Sequence, residues 1–240
     1  MTQIRVVLHA HSTWSYDGRH SLRQIARLYG ALGVRAVMMT EHDTGFAPDQ
    51  FAAYRQACAD ASTTRCTLIP GIEYSSPDNR VHILTWGLDR FLGEHRPVLE
   101  TLRDVQTAGG VAIFAHPIRQ DAWQVFDPAW VPYLAGIELW NRKSDGITWG
   151  TRAQDLIALT GLPATVGHDF HRLRQIYPLT QRFDVDESAA LEPQLVTALA
   201  KGNSSPQAFR GDLSLGSALH PRLEQIRRKA RDGLRRIKRG

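Results

Sequence analysis

Nine potential metal ligands are distributed along this chain, and most of them follow a short apolar run of the kind that forms a β-strand. They are His9, His11, Asp17, His42, Glu73, His82, His116, Asp169 and His171. Active sites of parallel α/β sheets and barrels lie at the carboxyl ends of the strands. A fold of this kind would bring all nine side chains together. Six histidines and three carboxylates in one place are typical of a site for several metal ions.

Seven apolar runs rich in β-branched residues are predicted to be strands. They are Ile4–Leu8, Arg35–Thr40, Thr67–Ile72, Val81–Trp86, Val111–Ala115, Gly136–Trp140 and Ala164–Val166. Helical periodicity is found in residues 22–32, capped by Ser21, and in Phe51–Ala61, Val98–Ala108, Thr151–Leu159 and Ser188–Ala200. Alternation of strands and helices predicts a parallel sheet. An open sheet would leave the outer ligands far apart, so we expect the strands to close into a barrel.

The composition is that of a globular protein with one large α/β domain. The chain has 240 residues, of which 42% are hydrophobic and 22% charged, so a sizeable core is expected. The N-terminal apolar run is too short for a signal peptide, and no apolar stretch approaches the roughly 20 residues of a membrane-spanning helix. Cys58 and Cys66 are expected to be free thiols. These features predict a soluble, cytoplasmic protein.

The C-terminal segment differs in character from the rest of the chain. Residues 222–240 hold nine Lys or Arg and two acids, a net charge of +7, whereas the first 221 residues have a net charge of −2. Apolar residues recur there at spacings of three and four, at Leu219, Leu223, Ile226, Ala230, Leu234 and Ile237. We therefore predict a barrel domain over residues 1–215 and a basic amphipathic helix over residues 216–240. The helix either docks on the barrel, which six apolar positions favour, or binds an anionic partner such as nucleic acid.

The motifs at the strand ends place several ligands side by side. His9 and His11 are two residues apart, and residues with this spacing share a face of a strand. His42 lies in the motif TEHD, where the neighbouring Asp43 could orient a ligand, take part in proton transfer or cap a helix. Glu73 supplies a carboxylate, which can bridge two metals. The motif GHDFH again places two ligands, one of them Asp169, two residues apart.

The ordered set of motifs, HxHS followed by DG, TEHD, GxE, a single His, HP and GxDxH, resembles the PHP (polymerase and histidinol phosphatase) superfamily over residues 4–171. The resemblance implies an α/β fold, a distorted (β/α)7 TIM-like barrel with three divalent metal ions at the C-terminal ends of the strands. By position, it assigns His9, His11, Glu73 and Asp169 to one metal, Glu73, His82 and His116 to a second, and Asp17, His42 and His171 to a third. Mixed nitrogen and oxygen ligands suit Zn, Mn or Fe.

The function that this resemblance implies is a metal-dependent phosphatase. Two metals about 3.5–4 Å apart can clamp phosphoryl oxygens and lower the pKa of a water from 15.7 to roughly 7, so that a metal-activated hydroxide attacks a phosphate monoester. This mechanism gives catalytic roles to His9, His11, Glu73 and Asp169, with Asp43 as a candidate for proton transfer.

Three residues are candidates for binding a small phosphorylated substrate. Arg119 and Arg172 lie in loops at the ligand end, and guanidinium groups bind phosphate through two hydrogen bonds. Solvated loop arginines are common, and for Arg172 this is the simpler interpretation. His168 precedes the last ligand pair, where the family commonly has a small residue. It is a candidate substrate contact, although a core histidine is the more common case.

Other functions stay open at this stage. The same metal chemistry serves a phosphodiesterase or nuclease, and the basic C-terminal segment would bind a nucleic-acid backbone. A non-catalytic, metal-stabilised scaffold is a second alternative, although degenerate relatives lack ligands and this chain lacks none. Amide hydrolysis needs a different ligand layout, typically with a bridging lysine that the sequence does not place.

Overall fold

A computed structural model describes residues 1–213 of the chain. The strands are β1 (Thr2–Ala10), β2 (Ala36–Met38), β3 (Glu41–His42), β4 (Thr67–Ile69), β5 (Gly71–Ser75), β6 (His82–Trp86), β7 (Val111–Phe114), β8 (Gly136–Asn141), β9 (Ala164–Phe170), β10 (Leu179–Val185), β11 (Ser205–Ala208) and β12 (Gly211–Asp212). The α-helices are α1 (Leu22–Ala31), α2 (Phe51–Ala61), α3 (Val98–Thr107), α4 (Thr151–Thr160) and α5 (Leu191–Ala200). The predicted basic helix over residues 216–240 lies outside the described residues.

All seven predicted strands are present, and one of them, Thr67–Ile72, is interrupted. Pro70, which has no backbone N–H to donate to a ladder, separates β4 from β5. The predicted strand Arg35–Thr40 is shorter in the structure, as β2, and β3 follows it after two residues. The five predicted helices are present as well, although α5 begins three residues later than the predicted Ser188. Ser21 caps α1 as predicted, because its hydroxyl accepts from the Gln24 N–H while the Gln24 side chain accepts from the Ser21 N–H.

The strands form one mixed sheet. Its hydrogen-bonded order is β12-β11-β10-β1-β9-β8-β7-β6-β5-β3, and β2 lies off this path, paired with β1 and β4. This path is open at both ends, so the predicted closed (β/α)7 barrel is not confirmed, whereas the mixed α/β fold is. The predicted all-parallel pairing is also wrong, because β6 is antiparallel to both β5 and β7, and β10 is antiparallel to β1.

Both faces of the central strand β1 are buried. Val6 and Leu8 belong to one apolar cluster with strand residues such as Met38 and with the buried residues of α5, whereas Val7 belongs to a second cluster that includes buried residues of α1 to α4. Side chains alternate between the two faces of a strand. A strand with apolar clusters on both faces therefore has a continuous apolar sequence. This packing fixes β1 at the centre of the sheet, and its last residues carry the first predicted ligands.

Candidate metal centre

The nine predicted ligands come together at one end of the sheet, around the carboxylate of Glu73. His9 and His11 lie at the end of β1 and just beyond it, and both are fully buried. Glu73 is in β5 and is 1% exposed. Of the other six, Asp17 lies in the loop after β1, His42 in β3, His82 in β6 and Asp169 in β9. His116 and His171 follow β7 and β9. Only Asp17 among these six has a side chain that is substantially exposed, at 34%.

Four of the ligand residues lie close to one another. The Nε2 atom of His9 lies 3.4 Å from Glu73 Oε1 and 3.6 Å from Asp169 Oδ1. The Nε2 atom of His11 lies 3.3 Å from Glu73 Oε2 and 3.5 Å from Asp169 Oδ1. Ligands that bind one ion at about 2.0–2.2 Å in a tetrahedron stand roughly 3.3–3.6 Å apart. These four distances are therefore those expected between ligands of a single ion.

The second and third predicted sets also form compact groups. The Nδ1 atom of His82 and the Nε2 atom of His116 lie 2.7 and 2.9 Å from Glu73 Oε1. In the third group, Asp17 Oδ1 lies 3.4 Å from His42 Nε2, and Asp17 Oδ2 lies 2.9 Å from His171 Nε2. His171 Nε2 and His42 Nε2 are 3.5 Å apart.

Several of these atoms are buried without a hydrogen-bond partner within residues 1–213. They are the Nε2 atoms of His9 and His11, Oε2 of Glu73 and Oδ1 of Asp17. Buried polar atoms are normally hydrogen-bonded, and leaving one unpaired costs about 1–3 kcal/mol. Four such atoms at one place fit a bound cation, since each has a lone pair to donate.

The carboxylates of the site are ionised. Burial raises the pKa of Glu73, but the neighbouring His9 and His82 outweigh it and hold that pKa well below its ordinary value. Burial likewise raises the pKa of Asp169, and His9 together with Lys143 lowers it below the ordinary value. Metal ligands must be deprotonated, so both carboxylates are already in the binding form.

Two of the histidines, His11 and His42, differ in charge. Burial lowers the pKa of His11, and the nearby His42 and His171 lower it further, so His11 is neutral. Burial also lowers the pKa of His42, but its contacts with Asp17 and Glu73 outweigh this effect and raise the pKa to about 10. A metal ion that binds His42 must therefore displace a proton.

Three ligands have a strained backbone. His9, His116 and Asp169 have φ angles of 65°, 27° and 49°, in a region that residues with a side chain rarely adopt. Each such residue costs about 1–3 kcal/mol, and strain of this kind is concentrated at functional sites. The pairing of β1 with β9 shifts register at the same point, between Leu8 and Ala10. The fold therefore turns these side chains towards one centre at a cost in stability.

Glu138 supports the site and was missed in the sequence. This carboxylate is fully buried in β8; its Oε1 lies 3.0 Å from His9 Nδ1, and its Oε2 accepts the His116 N–H at 2.8 Å. A proton that Nδ1 donates to Glu138 leaves the lone pair of His9 on Nε2, which faces the ligand cluster. Gly167 makes room for this contact, because a Cβ there would lie 1.9 Å from Glu138 Oε1.

A second buried carboxylate, Glu41, fixes the loop that follows β1. It accepts hydrogen bonds from the Ser12 N–H, from the Ser12 hydroxyl at 2.7 Å and from the Ser15 hydroxyl. Ser15 Oγ in turn accepts the His42 N–H at 3.0 Å. These bonds hold the loop that carries Asp17 against β3. A charged residue inside a buried strand is rare, which is the signal that could have identified both Glu41 and Glu138.

The ligands open into a cleft of about 260 Å³. Two cations line it. Arg119 Nη1 lies 3.2 Å from His82 Nε2 and donates to the Asn79 carbonyl at 2.9 Å. Lys143 Nζ lies 3.2 Å from both Asp169 Oδ1 and His171 Nε2. The structure thus places the predicted Arg119 at the site and adds Lys143, which the sequence did not indicate because it belongs to an irregular loop.

The other predicted site residues lie outside this cleft. Arg172 is exposed, next to His171 in the chain. His168 is buried between the Tyr29 hydroxyl, 2.7 Å from its Nδ1, and the Leu179 carbonyl, 2.9 Å from its Nε2. It is therefore placed as a core histidine and does not reach the cleft.

Asp43 has a structural position beside the site. Its Oδ2 accepts the backbone N–H groups of Ser75 and His95, both at 2.9 Å. The carboxylate thus ties the end of β5 to the loop that carries His95. A role for Asp43 in proton transfer stays a prediction.

The architecture is similar to that of several solved structures. PsfC from Pseudomonas syringae is 17% identical, with a TM-score of 0.60, and the match covers 98% of this chain and 100% of that one. A two-domain protein from Bacteroides vulgatus that contains a predicted PHP-like metal-dependent phosphoesterase is 17% identical over 86% of this chain and 65% of that one, with a TM-score of 0.59. The lesion-specific endonuclease PfuEndoQ from Pyrococcus furiosus is 15% identical over 83% of this chain and 56% of that one, with a TM-score of 0.56.

These similarities confirm the predicted resemblance at the level of the fold: the chain has the fold of PHP-like structures. The chain spans less than two thirds of the Bacteroides protein and of the endonuclease. No protein-family model matches the chain, and no curated protein does. Within the described residues, none of the helices combines the length and the apolar character that crossing a bilayer requires.

Proposed function

We propose that this chain is a metal-dependent phosphoesterase that hydrolyses a phosphate monoester at a site for three divalent ions. The observation that carries the proposal is the convergence of nine ligand side chains, several of which have buried, unpartnered lone pairs. The similarity to a predicted PHP-like metal-dependent phosphoesterase supports it.

The distances within the three groups described above support a division of the nine ligands into the three predicted sets, in which Glu73 is shared between two metals. Imidazole and carboxylate ligands suit Zn, Mn or Fe. When bound, such ions polarise phosphoryl oxygens and make water acidic enough to attack phosphorus near neutral pH.

The other residues of the cleft bind and orient the ester. Arg119 and Lys143 line the cleft and contact different ligands, His82 and Asp169 respectively. A phosphate monoester carries up to two negative charges, and its oxygens accept hydrogen bonds from both cations. Water adds to phosphorus, the bond to the ester oxygen breaks, and inorganic phosphate and an alcohol are released. The two cations stabilise the charge that develops on the phosphoryl oxygens.

The test is release of inorganic phosphate from a panel of monoesters and diesters with Zn, Mn or Fe added. Wild type should release phosphate only with metal, whereas Asp169→Asn and His9→Gln should lose more than about 100-fold in activity, because each removes a metal ligand. His20→Gln is the matched control, since His20 is a half-buried histidine outside all three ligand groups. Full activity in both ligand variants would contradict the proposal.

A second candidate is phosphodiester hydrolysis on nucleic acid. The fold similarity to a lesion-specific endonuclease and the net charge of +7 over residues 222–240 favour it. Binding through phosphate contacts weakens steeply with salt because counterions are released. Diester cleavage that outpaces monoester cleavage, and that falls steeply with salt, would place this candidate first. Three bound metals without turnover on any ester would instead favour a metal-stabilised scaffold.

A further inference from the structure

An aromatic ring stands exposed at the edge of the metal centre. Tyr16 lies in the loop after β1, next to the predicted ligand Asp17, and is 73% exposed. Its ring stacks on the His42 ring, with the centroids 5.1 Å apart and the planes 23° from parallel. One face of the ring is therefore occupied by a predicted ligand. Within the described residues the ring makes no other aromatic contact.

The loop that carries this ring is held firmly. The buried Glu41 binds Ser12 and Ser15, and Ser15 also accepts the His42 N–H. Gly18, on the other side of Tyr16, approaches the Ser12 carbonyl so closely that a Cβ would lie 1.9 Å from its oxygen. The ring thus has a fixed position relative to the ligands, which lowers the entropic cost of binding against it.

The size of the cleft determines what can enter it. Its volume of about 260 Å³ is below the roughly 300–1,000 Å³ of ligand pockets, and metal ions would fill part of it. Arg119 and Lys143 both line the cleft, so a phosphoryl group would bind there, but the organic part of an ester must lie at the rim. Tyr16 lines that rim.

Other aromatic side chains do not supply such a surface. Two tryptophans, Trp14 and Trp140, lie near the carboxyl ends of β1 and β8. Trp140 is fully buried and packs on Trp149, and Trp14 is half-buried against Phe46 and Tyr54. Both belong to the core.

We propose that Tyr16 is a stacking platform for the leaving group, so that phosphate esters whose organic part carries a planar aromatic ring, such as nucleotides or aryl phosphates, are the preferred substrates. The inference rests on the proposed function. A planar ring on the free face of Tyr16 would extend the stack that His42 begins, while the phosphoryl group reaches the cations. Stacking of a base on an aromatic side chain changes affinity by roughly 5- to 150-fold.

The experiment compares adenosine 5′-monophosphate, phenyl phosphate and ribose 5-phosphate as substrates. Tyr16→Ala should lower kcat/KM for the nucleotide relative to ribose 5-phosphate by roughly 5- to 150-fold, and Tyr16→Phe should keep the ratio, because only the ring is needed. Leu159→Ala, which removes another exposed apolar side chain outside the cleft, is the matched control. An equal effect of Tyr16→Ala on all three esters would overturn the proposal.

Phenyl phosphate distinguishes the two sources of the ring. If Tyr16→Ala lowers kcat/KM for phenyl phosphate as well as for the nucleotide, aryl phosphates are supported as substrates, since their ring then reaches Tyr16 directly. If Tyr16→Ala lowers kcat/KM for the nucleotide alone, nucleotides are supported, in which ribose separates the ring from phosphorus.

Calorimetric titration with adenosine 5′-monophosphate separates this inference from the proposed function. If wild type binds the nucleotide more tightly than Tyr16→Ala but releases phosphate from no ester, the phosphoesterase proposal fails and the platform stands. Equal binding by the two proteins would overturn the platform, whatever the activity.

Discussion

Replacing Glu138 by Gln should weaken metal binding without removing any predicted ligand. All three partners of this carboxylate lie where they donate: His9 Nδ1 at 3.0 Å, the His116 N–H at 2.8 Å and the Asn141 side-chain amide at 3.0 Å. A glutamine has the same shape but only one acceptor oxygen. The NH₂ group of the glutamine must therefore face either His9 Nδ1 or the two other donors, the His116 N–H and the Asn141 side-chain amide.

The size of the effect follows from these contacts. Loss of a carboxylate partner behind a metal-binding histidine typically costs about 10- to 100-fold in metal affinity, or roughly 1.4–3 kcal/mol. The buried donor that faces the NH₂ group of Glu138→Gln loses its partner, which should lower the free energy of unfolding by about 1–3 kcal/mol. Gly167→Ala should also lower both the metal affinity and the free energy of unfolding. The new Cβ would lie 1.9 Å from Glu138 Oε1 and force the carboxylate away from His9.

The assay is competition for Zn²⁺ between metal-depleted protein and a chromophoric chelator, with urea unfolding of the same samples. Glu192→Gln is the control, since Glu192 is a carboxylate that pairs with Arg55 outside the cleft. Metal affinity within a factor of about two of wild type in both Glu138→Gln and Gly167→Ala would refute the argument that Glu138 sets the basicity of His9.

Three further outcomes are expected. In steady-state kinetics, Arg119→Met should raise KM for a phosphate ester about 10-fold or more, because Arg119 lines the cleft. Arg172 is exposed and lies outside the cleft, so Arg172→Met should change KM less than about threefold. Burial lowers the pKa of His168 to about 4. As the pH falls, His168 is protonated in the unfolded chain before it is protonated in the folded protein, so the free energy of unfolding should fall by at most about 3 kcal/mol between pH 6.5 and 4. Urea unfolding of wild type and His168→Gln at each pH measures this effect. A difference in unfolding free energy between the two proteins that does not change with pH would contradict it. Burial raises the pKa of Cys66 to about 12, so iodoacetamide should alkylate this thiol at pH 8 only after unfolding, as mass spectrometry would detect.

The convergence of the predicted ligands could be foreseen because it depends on strand ends. The apolar runs that end near His9, His42 and His116 became β1, the β2–β3 segment and β7. Strands that end on the same side of a sheet bring their following residues together, whatever the loops do. The groups of nearby ligand atoms therefore follow from the sequence order, although the positive φ angles that orient His9 and Asp169 do not.

The residues that support the ligands were less predictable. Glu138 interrupts the apolar run GIELW, and this was a usable signal. Lys143 carries no such signal, since it reaches Asp169 only through the conformation of the loop after β8. That loop depends on Asn141, whose side-chain carbonyl accepts the N–H groups of Lys143 and Ser144.

The pairing of the strands was the largest error. Only six residues join β5 to β6, which is too short for the crossover of a dozen or more residues that parallel strands need. The sequence SPDNRV over these residues, with Pro77 and Asn79, is typical of a turn and predicts a hairpin. β10 was missed because its sequence, LTQRFDV, alternates polar and apolar residues weakly.

Elemental analysis of protein purified without chelator tests the central claim most directly. Three groups of converging ligands predict close to three equivalents of Zn, Mn or Fe per chain. The His20→Gln control should hold the same amount, and Asp169→Asn should hold at least one equivalent less. A content well below one equivalent in wild type, not restored by added Zn or Mn, would contradict the metal centre and the function built on it.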